Sequence, residues 1–247
     1  MISDKKLAAM FVLQDKMNSA VDPNWLDAGW DFHRAMMHEA VELQGHLGWK
    51  WWKKQVPDVM QAKIELVDIW HFILAYFLEQ ASKAPNAGDM SYEQTVALAV
   101  ELTKISANGD ENTKALPGLS PSFAGLHSLN DKIDAFVGLV AFDHVYVFAF
   151  AILMQEVGLT WEELERLYVG KNTLNLFRQA NGYKQGTYVK VWDGEEDNVV
   201  LERIIDKMPD ATAADLMAAL QLRYEALDAH SHPLRVLLNR AISETKG

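Results

Sequence analysis

The sequence predicts an all-α protein, a helical bundle. Three observations carry that prediction: apolar residues recur at helical spacing along most of the chain, capping patterns precede several of those stretches, and strand-like alternation is nearly absent. Leu7, Met10, Phe11 and Met17 fall at helical spacings over 4–19. A second helix is expected from about Asp31 to Leu47, closed by Gly48. Asp58 follows Pro57 and precedes Gln61 by three, so it is placed to cap a third helix carrying IELVDIWHFILAYFLEQ at 64–80. Ser91-Tyr-Glu-Gln94 and Thr160-Trp-Glu-Glu163 are two further capping boxes. The run AFVGLVAFDHVYVFAFAILM at 135–154 reads as one fully buried helix, or as a helix packed in an oligomer interface. It is long enough for a membrane span, but Asp143 and His144 stand at its middle, where charge in lipid is expensive. Two short helices follow from Glu196 and Asp210, and a last one after Pro233. Only GTYVKVW, at 186–192, alternates as a short strand or extended loop would. KAPNAGDM at 83–90 and SANGDENTKALPGLSPSFAG at 106–125 read as loops. The whole of 1–247 is expected to form a single unit, with a loop-rich helical lobe at about 84–127.

Composition narrows the function classes. The chain has 247 residues, 49% hydrophobic and 23% charged, the proportions of an ordinary folded soluble protein. A net charge of −11 argues against a general nucleic-acid binder. With no cysteine, disulfides, thiolate metal sites and cysteine nucleophiles are excluded. The opening MISDKKLAAMF is charged early and lacks a signal peptide's apolar run, so a cytoplasmic location is expected.

Two acid pairs stand out. Glu65 and Asp68 lie at i and i+3 among Ile64, Leu66, Val67, Ile69 and Trp70; Glu39 and Glu42 repeat the spacing among Met37, Val41 and Leu43. Residues three apart share a helix face. Two such helices on a short connection would pack antiparallel and could bring four carboxylates into one cleft. Uncompensated, those charges raise one another's pKa. A hard divalent cation resolves the conflict, and Mg²⁺ or Mn²⁺ suits an oxygen set that leaves room for water and phosphate. The bland alternative for either pair alone is a solvated helix face.

Downstream, Lys171, Asn175 and Arg178 lie near one helical face, followed by Asn181, Gly182, Tyr183, Lys184 and Lys190. Cations and amides ending at a glycine turn suit a polyphosphate. The alternative is a solvated helix end whose cations offset the dipole. Beside a candidate metal cluster the phosphate reading is the stronger.

The segments EAVE (39–42), ELVDIWHF (65–72) and GKNTLNLFRQANGYKQGTYVKVW with its following EDN (170–198) together resemble the dimeric, all-α deoxyuridine triphosphatases, relatives of the MazG-like pyrophosphohydrolases. The resemblance runs from about residue 10 to 201. It implies Mg²⁺-dependent hydrolysis of dUTP, and of dUDP, to dUMP by a homodimer. It implies Glu39, Glu42, Glu65 and Asp68 as metal ligands, with Glu39 as base for the attacking water. Lys171, Arg178, Tyr183 and Lys190 would then meet phosphate, and Asn175 the uracil. LQDKMN resembles the family's first motif, so Gln14 and Asn18 would also approach the base. His71 could reach the sugar, or be a satisfied structural histidine. Trp49, Lys50, Trp52 and Lys53 could cover the entrance, or be half-buried tryptophans beside snorkelling lysines. Asp143 and His144 fit no motif and read as a buried hydrogen-bonded pair or an interface feature. The tail histidines His230 and His232, flanking a serine, are a weak metal signal and read rather as part of a helix-linking turn.

Three rivals remain at the level of sequence. A MazG-like enzyme of other specificity shares the acid pairs but not the 170–198 segment. A di-iron bundle could use Asp68 and His71 at i,i+3, although no second Glu-x-x-His is apparent. A non-catalytic helical interaction protein could use the 135–154 stretch as a partner surface.

Overall fold

The computed structural model describes residues 2–108 and 123–231. Most of the 106–125 loop, and the tail with its expected helix after Pro233, lie outside the described residues. Nine α-helices and one two-stranded sheet occur among the described residues: α1 (Asp4–Val21), α2 (Phe32–His46), α3 (Val59–Ser82), α4 (Tyr92–Asn108), α5 (Leu129–Ala141), α6 (Val147–Val157), α7 (Trp161–Ala180), β1 (Val191–Trp192), β2 (Glu195–Glu196), α8 (Asp197–Lys207) and α9 (Ala213–Ser231). The all-α fold class stands. No helix among the described residues is long and apolar enough to cross a membrane. The chain divides into two compact units, 1–168 and 169–247, with the division inside α7.

The first unit is organised around α3, which packs against α1, α2, α4 and α6. Its sequence is apolar on every side because every side is covered: Ile64, Leu66, Val67, Ile69, Trp70, Ile73 and Leu74 are all buried. Each such side chain contributes roughly 1.5–3 kcal/mol on burial. Trp70 stacks on Phe150, with centroids 5.3 Å apart, and meets Trp161 edge-on at 5.6 Å.

Capping chemistry fixes where the helices start. Asp31 accepts from the Arg34 N–H and Asp58 from the Gln61 N–H, as the spacing predicts. Ser91 and Gln94 bond reciprocally. Thr160 takes the Glu163 N–H, while the Glu163 carboxylate reaches Lys63 at 2.9 Å. Two further boxes, Ser128 with Asp131 and Thr212 with Asp215, use aspartate in the third position, where the box more often has Glu or Gln.

The 135–154 stretch is a correction. It is two helices, α5 and α6, separated by a turn at 142–146. The His144 N–H donates to the Leu139 carbonyl and that of Asp143 to Val140, a Schellman ending that requires the left-handed conformation at Asp143, φ +66°. Asp143 and His144 are exposed rather than a buried pair, and Asp143 forms an ion pair with His33. The same ending recurs at Gly158 and Gly182, where glycine adopts the conformation freely.

The second unit has a small aromatic core of its own. Phe177, Tyr188, Trp192 and Tyr224 meet at centroid distances of 5.2–6.4 Å, and Trp192 is fully buried. The expected strand at 186–192 shrinks to Val191–Trp192, which pairs antiparallel with Glu195–Glu196. Asp193 and Gly194 both have positive φ, the type I′ geometry that Asp-Gly favours. The helix expected from Asp210 is α9, 19 residues long rather than short.

Candidate metal centre and nucleotide site

α2 and α3 run antiparallel, since their contacts descend in opposite directions. The Asp58 N–H bonds the His46 carbonyl, Glu39 faces Glu65 and Asp68, and His33 meets Tyr76. The i,i+3 pair on α3 therefore confronts the pair on α2. Glu39, Glu65 and Asp68 each offer an oxygen within 4.8 Å of the others. Glu65 is buried, while the Glu39 and Asp68 side chains are partly exposed, at 19% and 20%. Glu42 stands apart from that triad, half-exposed, with His38 Nδ1 at 3.3 Å, and forms a second cluster with His38 and Glu39. Glu39 is common to both.

The electrostatics follow from this convergence. Burial pushes the Glu39 carboxyl up to about 8, helped by repulsion from Asp68, Glu65 and Glu42 and by a hydrogen bond to Glu65. At neutral pH this environment favours the protonated form of Glu39. An all-oxygen set of this kind fits a hard divalent ion, and the cluster could hold one. His46, from the last turn of α2, brings Nε2 to 3.2 Å of Glu65 Oε1. His46 lies four residues after Glu42 and so on the same face, which is the one signal of it in the sequence.

A second constellation in the first unit is polar and buried. Gln14 and Asn18 continue the buried stripe of α1 in place of the expected Met17. Gln14 Nε2 donates to Asn18 Oδ1 at 3.0 Å. The Tyr168 hydroxyl lies 3.1 Å from Gln14 Oε1 and 2.9 Å from the Met10 carbonyl, and its ring packs on His71 at 4.4 Å. His71 Nδ1 donates to the Val67 carbonyl at 2.9 Å. Gln14, Asn18 and His71 are thus brought together, with Tyr168 as the link.

A family model described as dUTPase matches residues 6–183. The chain belongs to the dUTPase family. It is a dUTP diphosphatase, a hydrolase whose substrate is dUTP. No curated protein matches the sequence. The dUTPase match takes in both acid pairs, Gln14, Asn18 and His71, and ends at Tyr183, so Lys190 lies beyond it.

In the second unit of this dUTPase, the basic segment is tightly organised. Asp197, fully buried, receives Nε and Nη2 of Arg178 at 2.8 Å each and the Tyr188 hydroxyl at 2.7 Å. Arg178 also donates to Asn175 Oδ1 at 3.1 Å and shares Asn198 Oδ1 with Lys171. Its guanidinium lies 5.8 Å over the Tyr183 ring. Lys190 is half-exposed and pairs with Glu196 at 3.0 Å. Asp197 belongs to the quoted motif, yet its role as the anchor of Arg178 was not foreseen.

Proposed function

We propose that this dUTPase is Mg²⁺-dependent, with Mn²⁺ able to substitute, and that it converts both dUTP and dUDP to dUMP. The observation that carries the reading is the convergence of Glu39, Glu65 and Asp68 with the Glu39 proton held up to about 8. Glu39, Glu42, Glu65 and Asp68 are the proposed ligands. A bound cation would supply charge neutralisation at phosphate and a more acidic water. Glu39 then acts as the base, taking the proton of the water that attacks the β-phosphorus. Glu65 and Asp68, fixed on the most buried helix, hold their carboxylates in place and limit solvent around them.

Lys171, Arg178, Tyr183 and Lys190 are proposed to carry the phosphates, with Arg178 pre-set by its fork onto Asp197. Gln14, Asn18 and Asn175 are proposed to contact uracil, and His71 the sugar. The proposed assembly is a homodimer in the cytoplasm, each chain forming one catalytic unit over 1–247. Pyrophosphate release from dUTP and orthophosphate release from dUDP, with Mg²⁺ and after chelation, test this reading. Full activity in the chelated enzyme, or failure to release phosphate from dUDP, would refute the corresponding part; sedimentation as a monomer at micromolar concentration would refute the dimer.

A further inference from the structure

The Tyr168 hydroxyl faces two oxygens, the Met10 carbonyl and Gln14 Oε1. With its oxygen turned to that hydroxyl, the Gln14 carboxamide has its nitrogen turned onto Asn18 Oδ1. That bond occupies the Asn18 oxygen and leaves Nδ2 aimed elsewhere. Nδ2 is buried, on a residue only 4% exposed, and finds no hydrogen-bond partner among the described residues. A buried donor left unmade costs free energy until something accepts from it.

We infer that Tyr168 is a specificity-determining positioning residue, whose hydroxyl sets the direction of the Gln14–Asn18 relay so that Asn18 offers a donor to the base. The inference rests on the reading of Gln14 and Asn18 as base contacts. Uracil and cytosine differ where one carries a carbonyl oxygen and the other an amino group. An Asn18 donor at that point meets an acceptor in uracil and a second donor in cytosine. Two donors face to face leave both unpaired, and sites built this way discriminate strongly. The His71 ring, itself held by the Val67 carbonyl, packs on the phenol ring. Without the hydroxyl, no other hydrogen bond among the described residues holds the Gln14 oxygen toward position 168. Both amides can then turn over together and present Asn18 Oδ1 instead.

The test is the ratio of kcat/KM for dUTP to that for dCTP, in the presence of a divalent cation, for the natural chain, Tyr168→Phe and Asn18→Ala. Tyr168→Phe should lower the ratio by about tenfold or more, through a raised KM for dUTP with kcat changed less than about threefold. General destabilisation lowers both substrates together and leaves the ratio where it was. An unchanged ratio in Tyr168→Phe, beside a collapsed one in Asn18→Ala, overturns the role of Tyr168 and leaves the base-contact reading standing. An unchanged ratio in Asn18→Ala overturns the base-contact reading and the inference with it. Should Tyr168→Phe fail to fold, Gln14→Met cuts the relay while leaving the hydroxyl its Met10 bond. It must lower the same ratio, and a ratio held at the natural value overturns the proposal.

Discussion

Around Glu39, carboxylates gather and raise its affinity for protons; around Arg178, charges find their partners within hydrogen-bond distance. Both clusters are substantially buried, and both depend on helix faces brought together by packing. The second is paired internally: the Arg178 fork closes on Asp197, Tyr188 caps the same carboxylate, and Asn175 and Asn198 take further N–H groups. The first is a concentration of like charge that the fold holds together at a cost. The Arg178 network stabilises the fold around it, whereas the carboxylates around Glu39 are brought together against their mutual repulsion.

The largest effect should come from dismantling the acidic cluster. Glu39→Gln and Glu65→Gln are each expected to lower dUTP turnover by about 10²-fold or more. In the same variants the metal-free melting temperature should hold or rise, because repulsion is removed. A fall in both activity and metal-free stability would break the contrast. Asp197→Ala should do the reverse, leaving Arg178 buried without its partner at a cost of about 3–5 kcal/mol, read by denaturant unfolding. A loss below about 1 kcal/mol would show that the fork contributes little.

The pH dependence has a definite sign. Glu39 is raised from 4.5 to about 8, so the folded protein holds a proton there that the unfolded chain has released. That contribution is fully present below pH 4.5 and is lost as pH rises through about 8. The melting temperature of the metal-free protein should therefore decline across that window. Glu39→Gln, or added Mg²⁺, should flatten the decline. The smallest effect belongs to Lys190→Gln. Its pair with Glu196 is half-exposed, so stability should change by less than about 1 kcal/mol, while KM for dUTP rises several-fold if Lys190 meets phosphate.

What sequence made legible here was local. The acid pairs declare themselves because i,i+3 carboxylates inside an apolar run have few innocent explanations. Asp31, Asp58, Ser91 and Thr160 declare helix starts because a cap and its third residue are neighbours in the chain. Ser128 and Thr212 went unread only because aspartate stands where glutamate or glutamine is more familiar. The division between α5 and α6 was hidden for a different reason. Its left-handed residue is Asp143, not glycine, inside a run that is apolar throughout. Pairings that cross the chain left no local trace: Tyr168 reaches Gln14 across 154 residues, and Arg178 reaches Asp197 across 19. Neither side chain's partner can be named until the backbone has folded.

The connection between α2 and α3 has a practical consequence. It is tied down by Gln55, which bonds Lys50 and Gly45, and by the bond from Asp58 to His46. Yet it carries three of the eight tryptophans into water, Trp51 being 89% exposed, while Trp25, Trp70 and Trp192 are buried. The intrinsic fluorescence of the protein is thus a sum of two populations of indole. Iodide, drawn by Lys50, Lys53 and Lys54, should quench the wet population selectively and leave the emission of the dry one. Any nucleotide that covers this connection would then announce itself as a blue shift and a loss of quenching, with no label attached.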